Sequence, residues 1–431
     1  MASARNQQLQ GVMGKFLQYF AMYSQARADA GDDVCDFAFG NPHDMPLPEF
    51  GATLQKYAVP ENKDWFAYKM SERASQEHVA QSLQQRVGIA YAPEDVVMTN
   101  GAAGALNIVL ATLLDPGDEV IINLPPWFFY EAYIAACGGV TVKVNVTPDD
   151  FDLDVEAIRQ AITTRTRAII VNSPNNPTGK IYGPDTLRAL GEMLREESRR
   201  IGRIIYLISD EAYSRILFDG RSFVSPTGFY PDSILVYTYG KTLLTPGQRL
   251  GYLALAPTMA GRQELRNAVA VTQIVNGWAF TSALMQHSLP DLEKLCIDIE
   301  QLHHKRNWLV HELGDMGYGV GMPEGTFYLL VKSPLEDDIA FTNLLAEKGI
   351  FCLPGSTAEI PGYFRISLTA NEEMIRRSIP GFHAAIEQVR AATSAALSRY
   401  AEQPGSQTGS VALRWVETLI DLLRVLKVEG E

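Results

Sequence analysis

The chain has 431 residues, 46% hydrophobic and 20% charged, which supplies apolar material for two or three domains with sizeable cores. Its 50 acidic against 37 basic side chains leave a net charge of −13, so nucleic acid is excluded as a general partner and any anionic ligand needs cations gathered locally. No apolar run approaches the ~20 residues that span a bilayer, and the four cysteines and seven histidines show no metal-ligand spacing, which predicts a cytoplasmic protein with reduced thiols, no membrane contact and no metal.

In chain order, residues 1 to about 50 open on a helix over FLQYFAMYSQA. Arg5, Lys15 and Arg27 precede any acid there, which leaves a transit peptide as an alternative reading of the same stretch. The turn-rich FAFGNPHDMPLP follows, with Gly40 inside it. From about 75 to 300 the apolar runs VVMTN, EVIINL, VTVKVNV, RAIIVNS, IIYLISD and SILVYTY alternate with helical patterns. Such alternation predicts an α/β fold with a largely parallel sheet covered on both faces, whose ligands bind beyond the carboxyl ends of the strands. From about 310 to 390 the strands GTFYLLVK and YFRISLT mix with helices as a smaller α+β unit. EQPGSQTGS at 402–410 reads as a linker to VALRWVETLIDLLRVLKVE. In that last segment Arg414, Glu417, Asp421, Arg424 and Lys427 leave an apolar face of Val416, Leu419, Ile420, Leu423 and Leu426, expected to dock on the parent fold or a partner subunit, with association at a membrane surface as the alternative.

Four of the strand ends carry chemistry. RAIIVNSPNNPTGK places Asn172, Asn175, Asn176, Thr178 and Gly179 after an apolar run, which taken alone is an Asn-Pro turn. IIYLISDEAYS closes on Asp210 with Tyr213 three residues on, and an aspartate ending an apolar strand needs a cation or hydrogen-bond donors beside it. In VVMTNGAAGALNIVL the residues Gly101, Ala102, Ala103 and Gly104 precede an apolar helix, small enough for backbone N–H groups to approach an anion, though many tight turns look the same. VYTYGKTLLTPGQRLGYLAL sets Lys241 in a bend just past an apolar run, by itself a solvated surface lysine.

NNPTG, then SDEAY, then a lysine with PGQRLGY, then YFRISL, in that order, resembles the fold type I pyridoxal-phosphate enzymes, specifically the class I/II aminotransferases related to aspartate aminotransferase, over roughly residues 35 to 390. The resemblance implies a large cofactor-binding domain at 51–309 with a mostly parallel seven-stranded sheet, a small α+β domain from 1–50 and 310–395, and a C-terminal linker and amphipathic helix at 396–431. It implies pyridoxal 5'-phosphate as cofactor, with Lys241 as the Schiff-base lysine, Asp210 keeping the pyridine nitrogen protonated, and Asn176 and Tyr213 bonded to the ring's phenolic oxygen. Trp127 in PPWFFY is then the aromatic that stacks on the ring, and the phosphate falls to the backbone around Ala102, Ala103 and Gly104 with Thr238 and Arg249. Arg365 clamps the substrate α-carboxylate, with Gly40, Asn176 and Trp127 lining the same spot. Tyr68 in WFAYKMSE resembles the tyrosine that reaches the phosphate from a neighbouring subunit, which implies a homodimer with shared active sites.

The pattern departs from the family at Gly240, where a serine is common, and at Ala102 and Ala103, where a hydroxyl residue is frequent. In VTQIVNGWAFTS the residues Asn276, Gly277 and Trp278 stand where dicarboxylate-specific relatives of one subgroup carry an arginine, so strict aspartate specificity is not expected. The implied reaction moves an amino group from an α-amino acid to 2-oxoglutarate or another 2-oxo acid. The same residues serve lyases, decarboxylases and cyclases acting at a β or γ carbon, because an electron sink stabilises a Cα carbanion whatever follows. An effector-binding module of a transcription regulator would need a basic DNA-binding domain before residue 50, and that stretch has neither the room nor the charge.

Overall fold

The computed structural model describes residues 2–31 and 34–401. After a two-residue strand β1 (Cys35–Asp36), the chain forms β2 (Val96–Thr99), β3 (Glu119–Leu124), β4 (Val140–Asn145), β5 (Thr166–Asn172), β6 (Tyr206–Asp210), β7 (Ser233–Thr238) and β8 (Gly251–Leu255). The last seven make one sheet in the order β2-β8-β7-β6-β5-β3-β4, parallel except that β8 runs antiparallel between β2 and β7. This is the α/β class expected. β8 is the strand the apolar pattern did not separate, because the sequence runs into it from the bend that follows Lys241.

Alternation along each strand decides which helix layer it packs against. Val120, Ile122, Ile170, Ile208 and Val236 face the helix Gly101–Leu113, while Ile121, Ile169, Val171 and Leu207 face the helix Pro184–Ile201 through Leu187, Leu190 and Leu194. Strands buried on both faces therefore read as unbroken apolar runs. The edge strand β4 has a partner on one side only, and its residues Val140, Lys143 and Asn145 are exposed.

The later strands are β9 (Gly319–Val320), β10 (Tyr328–Lys332), β11 (Ile350–Phe351), β12 (Leu353–Pro354) and β13 (Tyr363–Ser367). Four of them form a sheet in the order β12-β13-β10-β9, and β11 pairs in parallel with β1. GTFYLLVK enters its strand only at Tyr328, because Thr326 is turned to φ +70°. One core ties the N-terminal residues Cys35 and Phe37 to Phe327, Phe364 and Phe382, and it also takes in Ala212 and Tyr213 from the turn after β6. The ends of the large sheet are thereby fixed against the small one.

Three further differences from the sequence reading are local. The helix Gly101–Leu113 begins at Gly101 itself, so Ala102 and Ala103 are in its first turn and not in a preceding loop. Lys241 sits in a one-turn helix, Tyr239–Thr242, capped by the Thr238 hydroxyl, and not in an open bend. The helix Glu372–Ala401 continues past the expected boundary at 395. The amphipathic stretch at 411–429 lies outside the described residues.

Candidate active site

Because β5, β6 and β7 are parallel and in register, their carboxyl ends bring Asn172, Asp210 and Thr238 to one edge of the sheet. A cleft of about 120 Å³ opens there. Ala102, Ala103, Trp127, Asn172, Asn176 and Asp210 line it, with Ala212, Tyr213, Thr238, Gly240, Lys241, Pro246 and Arg249.

One end of the cleft is a cradle of donors. The first-turn N–H groups of the helix Gly101–Leu113 have no intrahelical partner and lie at the positive end of its dipole. Gly101 has φ +75°, and a Cβ on it would come within 3.1 Å of Arg249 Nη2 and 3.4 Å of Thr238 Oγ1, so helix start, guanidinium and hydroxyl crowd one point. Arg249 is aimed by its own bonds, Nη1 to the Pro246 carbonyl at 2.9 Å and Nη2 to the Asn100 carbonyl at 3.3 Å. A phosphate-sized anion fits this chemistry.

The middle of the cleft holds a carboxylate out of water. Asp210 is 4% exposed, accepts from Tyr130 Oη at 2.6 Å through Oδ2, and accepts from the Ala212 N–H at 3.2 Å through Oδ1. Burial pushes its carboxyl up from the usual range, against those two hydrogen bonds and the charge of Lys241, which pull it down. Such a group is short of positive charge. Tyr130 is locked in turn by Trp127, whose ring stands edge-on to it at 5.4 Å and 82°. Lys241 Nζ lies 5.6 Å from the Tyr213 ring centre and 5.5 Å from that of Phe327, and forms no hydrogen bond or ion pair with another described residue.

The other end is built from side chains of the small sheet. Arg365, in β13 and 3% exposed, donates from Nη1 to Asn176 Oδ1 and from Nη2 to the Ala38 carbonyl, both at 2.9 Å. Its Nε is buried without a partner among the described residues. Gly40 lies against the same cluster, since a Cβ there would fall 2.6 Å from Tyr328 Oη and 2.7 Å from a Phe327 ring carbon.

Of the residues singled out in the sequence, the structure gathers Ala102, Ala103, Trp127, Asn176, Asp210, Tyr213, Thr238, Lys241 and Arg249 in the cleft, with Arg365 joined to it through Asn176 and Gly40 behind Tyr328. Two stand elsewhere. Gly104, expected in the anion cradle, is a turn inside the helix, where a Cβ would meet the Trp278 ring at 3.3 Å. Tyr68 is 85% exposed, with its ring on Phe280 at 4.8 Å, and does not line the cleft. The sequence reading missed Tyr130 and Tyr328. Tyr130 stands three residues beyond Trp127, at the start of the helix Tyr130–Ala136.

Against known proteins, the family described as aminotransferase class I and II matches residues 32–380. The aspartate/prephenate aminotransferase of Thermus thermophilus is 31% identical over 366 residues, covering 82% of this chain and 91% of that protein. The arginine–pyruvate transaminase of Pseudomonas aeruginosa is 29% identical over 367 residues, covering 82% of this chain and 90% of that one. The crystal structure of aspartate aminotransferase from Thermotoga maritima superposes with a TM-score of 0.77 at 26% identity, covering 90% of this chain and 100% of that one.

Proposed function

The chain belongs to the class I and II aminotransferase family and is an enzyme that moves an amino group from an α-amino acid to a 2-oxo acid; we propose that it does so with pyridoxal 5'-phosphate held in the cleft around Lys241. One observation carries the reading. A buried carboxylate short of positive charge, a cradle for a dianion and a lysine without an acidic partner share a single cleft. When bound, the cofactor supplies an aldehyde for amines and a protonated aromatic ring that draws electrons from the substrate Cα.

Each wall has a part in this reading. The first turn of the helix Gly101–Leu113, Thr238 and Arg249 hold the phosphate, and Trp127 covers one face of the ring. Asp210, held by Tyr130 and the Ala212 N–H, keeps a proton at the ring nitrogen, and that cation satisfies the carboxylate in return. Asn176 and Tyr213 donate to the ring oxygen. Arg365 takes the α-carboxylate in a forked pair of bonds, which orients the Cα–H bond toward Lys241 Nζ, and Nζ takes and returns that proton. Arg365 accommodates any α-amino acid, so the donor side chain is chosen elsewhere.

A homodimer completes the reading. Val271, Ile274 and Val275 are 61%, 56% and 75% exposed along one helix, and Tyr68 and Phe280, in ring contact with each other, are exposed too, apolar surface suited to a second copy of the chain. Tyr68 then serves the partner's phosphate cradle. The large domain spans 51–309 around the seven-stranded sheet, and the small one spans 1–50 with 310–395 around the four-stranded sheet. No described helix is long and apolar enough to cross a membrane, and a cytoplasmic location is proposed.

The test is covalent. Borohydride reduction of the cofactor-loaded protein, followed by peptide mapping, is expected to leave the reduced adduct on Lys241, and an adduct on any other lysine overturns the assignment.

A further inference from the structure

Nothing at the tip of Lys241 holds it, since Nζ has no hydrogen bond or ion pair with another described residue, so the amine goes where the one-turn helix Tyr239–Thr242 carries it. Gly240 and Lys241 line the cleft, whereas Tyr239 and Thr242 are buried outside it. Those two hold the turn. Thr242 Oγ1 lies 2.5 Å from Tyr237 Oη, and the Thr242 carbonyl accepts from the Ile297 N–H at 2.9 Å. Tyr239, 1% exposed, donates from Oη to Glu293 Oε2.

Glu293 caps the helix Ala283–Leu292, and its side chain is 10% exposed. While Oε2 takes the Tyr239 hydroxyl, Oε1 takes the Ser82 hydroxyl from the helix Arg73–Val87. Arg215 supplies the cation, with Nη1 3.6 Å from Glu293 Oε1 and Nη2 donating to the carbonyls of Glu293 and Leu295 at 3.1 and 3.0 Å. A carboxylate held out of water needs donors and a counter-charge assembled round it, and here both are present. Burial first and Glu293 second push the Tyr239 phenol well above its ordinary value, so Tyr239 remains the donor.

We propose that Glu293 is a positioning residue for Lys241: its carboxylate, set between Ser82 and Tyr239, fixes the turn that aims the amine at the substrate Cα. The proposal rests on the aminotransferase reading of the cleft. The bonds that hold Arg365 and Arg249 run to Asn176, Ala38, Pro246 and Asn100, none of them in this network. Substrate binding and proton transfer should therefore respond separately.

If Glu293 served stability alone, its loss would lower the unfolding temperature and leave the kinetics of the folded enzyme unchanged. Tyr239→Phe removes the bond with the least change of shape, Glu293→Ala removes the carboxylate, and Glu293→Gln keeps an oxygen for Tyr239 and an amide that can donate to Ser82. Assayed as cofactor-loaded proteins at a temperature where all are folded, Tyr239→Phe and Glu293→Ala are each expected to lower kcat about tenfold with the donor KM within about twofold, and Glu293→Gln to retain kcat within about threefold. Both changes break the same bond, so adding Tyr239→Phe to Glu293→Ala should lower kcat no further. Without substrate, the pH titration of the cofactor absorbance, which reports the link between amine and cofactor, should move by about half a unit in Tyr239→Phe. A kcat within about twofold of the unmodified enzyme in Tyr239→Phe, an unmoved titration, or losses that add in the double variant would each overturn the proposal. The first two are decided by Tyr239→Phe even if Glu293→Ala fails to fold. Failure of the underlying reading looks different, because the unmodified protein would then carry no reducible link at Lys241.

Discussion

The two ends of the cleft are made in opposite ways. The phosphate cradle centres on backbone N–H groups at the start of one helix, joined by the Thr238 hydroxyl and the Arg249 guanidinium, and its walls at Gly101, Ala102 and Ala103 are small. The carboxylate clamp is built from side chains leaning on one another across 189 positions of sequence between Asn176 and Arg365, and 327 between Ala38 and Arg365. A backbone site tolerates side-chain change because its donors belong to the fold. A side-chain site does not, because each member holds the next in place. Substitutions of similar size should therefore cost far more at the clamp than at the cradle, and the effects below run from largest to smallest.

The largest is expected where the ends meet. Asp210→Ala should fold and load cofactor yet lose at least ~10³-fold in kcat, since nothing then holds a proton at the ring nitrogen. Near-normal turnover would remove Asp210 from that role. Arg365→Lys should raise the donor KM about a hundredfold, because a point charge cannot replace a fork that already spends two bonds on Asn176 and Ala38. Cofactor affinity, measured by titration of the cofactor-free protein, should stay within about twofold, and a larger loss would show that the two ends are not independent.

Smaller probes sharpen the contrast. Gly40→Ala forces a methyl against Tyr328 and Phe327, and should raise the donor KM about tenfold by tilting the Arg365 stack. Ala103→Ser, at the cradle, should change both KM and cofactor affinity by about twofold or less. Equal effects of the two substitutions would show that the cradle and the clamp are equally sensitive to side-chain change.

The smallest expected effect concerns stability beneath the cleft. Glu211, next to Asp210 but bonded to Ser209 and Ser225, is pushed up by burial from 4.5 to about 7. A raised folded-state value means that the neutral form stabilises the fold: its contribution is full below about 4.5 and is lost as pH rises through about 7. Glu211→Gln cannot ionise, so its thermal unfolding should lack that decline, an effect on the order of 2–3 kcal/mol between pH 5 and 8. Parallel pH profiles for the two proteins would contradict this.

The large sheet was legible because its strands are buried on both faces and so appear as apolar runs bounded by turn residues. Asn172 and Asp210 were placed at its edge by the same rule, and Lys241 by following from β7, whereas Thr238 came only through the resemblance. The clamp was legible only through a family resemblance at YFRISL. No local pattern announces that Tyr328 lies under Arg365, and an aromatic in TFYLL reads as strand core, which it also is. Gly104 was misplaced because four small residues carry no mark of which one begins the helix, and Tyr130 was hidden among the neighbouring aromatics of PPWFFY.

If the two ends of the cleft serve one amino transfer, donor and acceptor must react in turn. The direct measurement is 2-oxo acid formed per active site when cofactor-loaded protein meets an amino-acid donor with no acceptor present. About one equivalent should form and formation should then stop, resuming only when a second 2-oxo acid is added and leaves as the new amino acid. Continued consumption of donor without acceptor, with release of ammonia, carbon dioxide or a cyclised product, would contradict it.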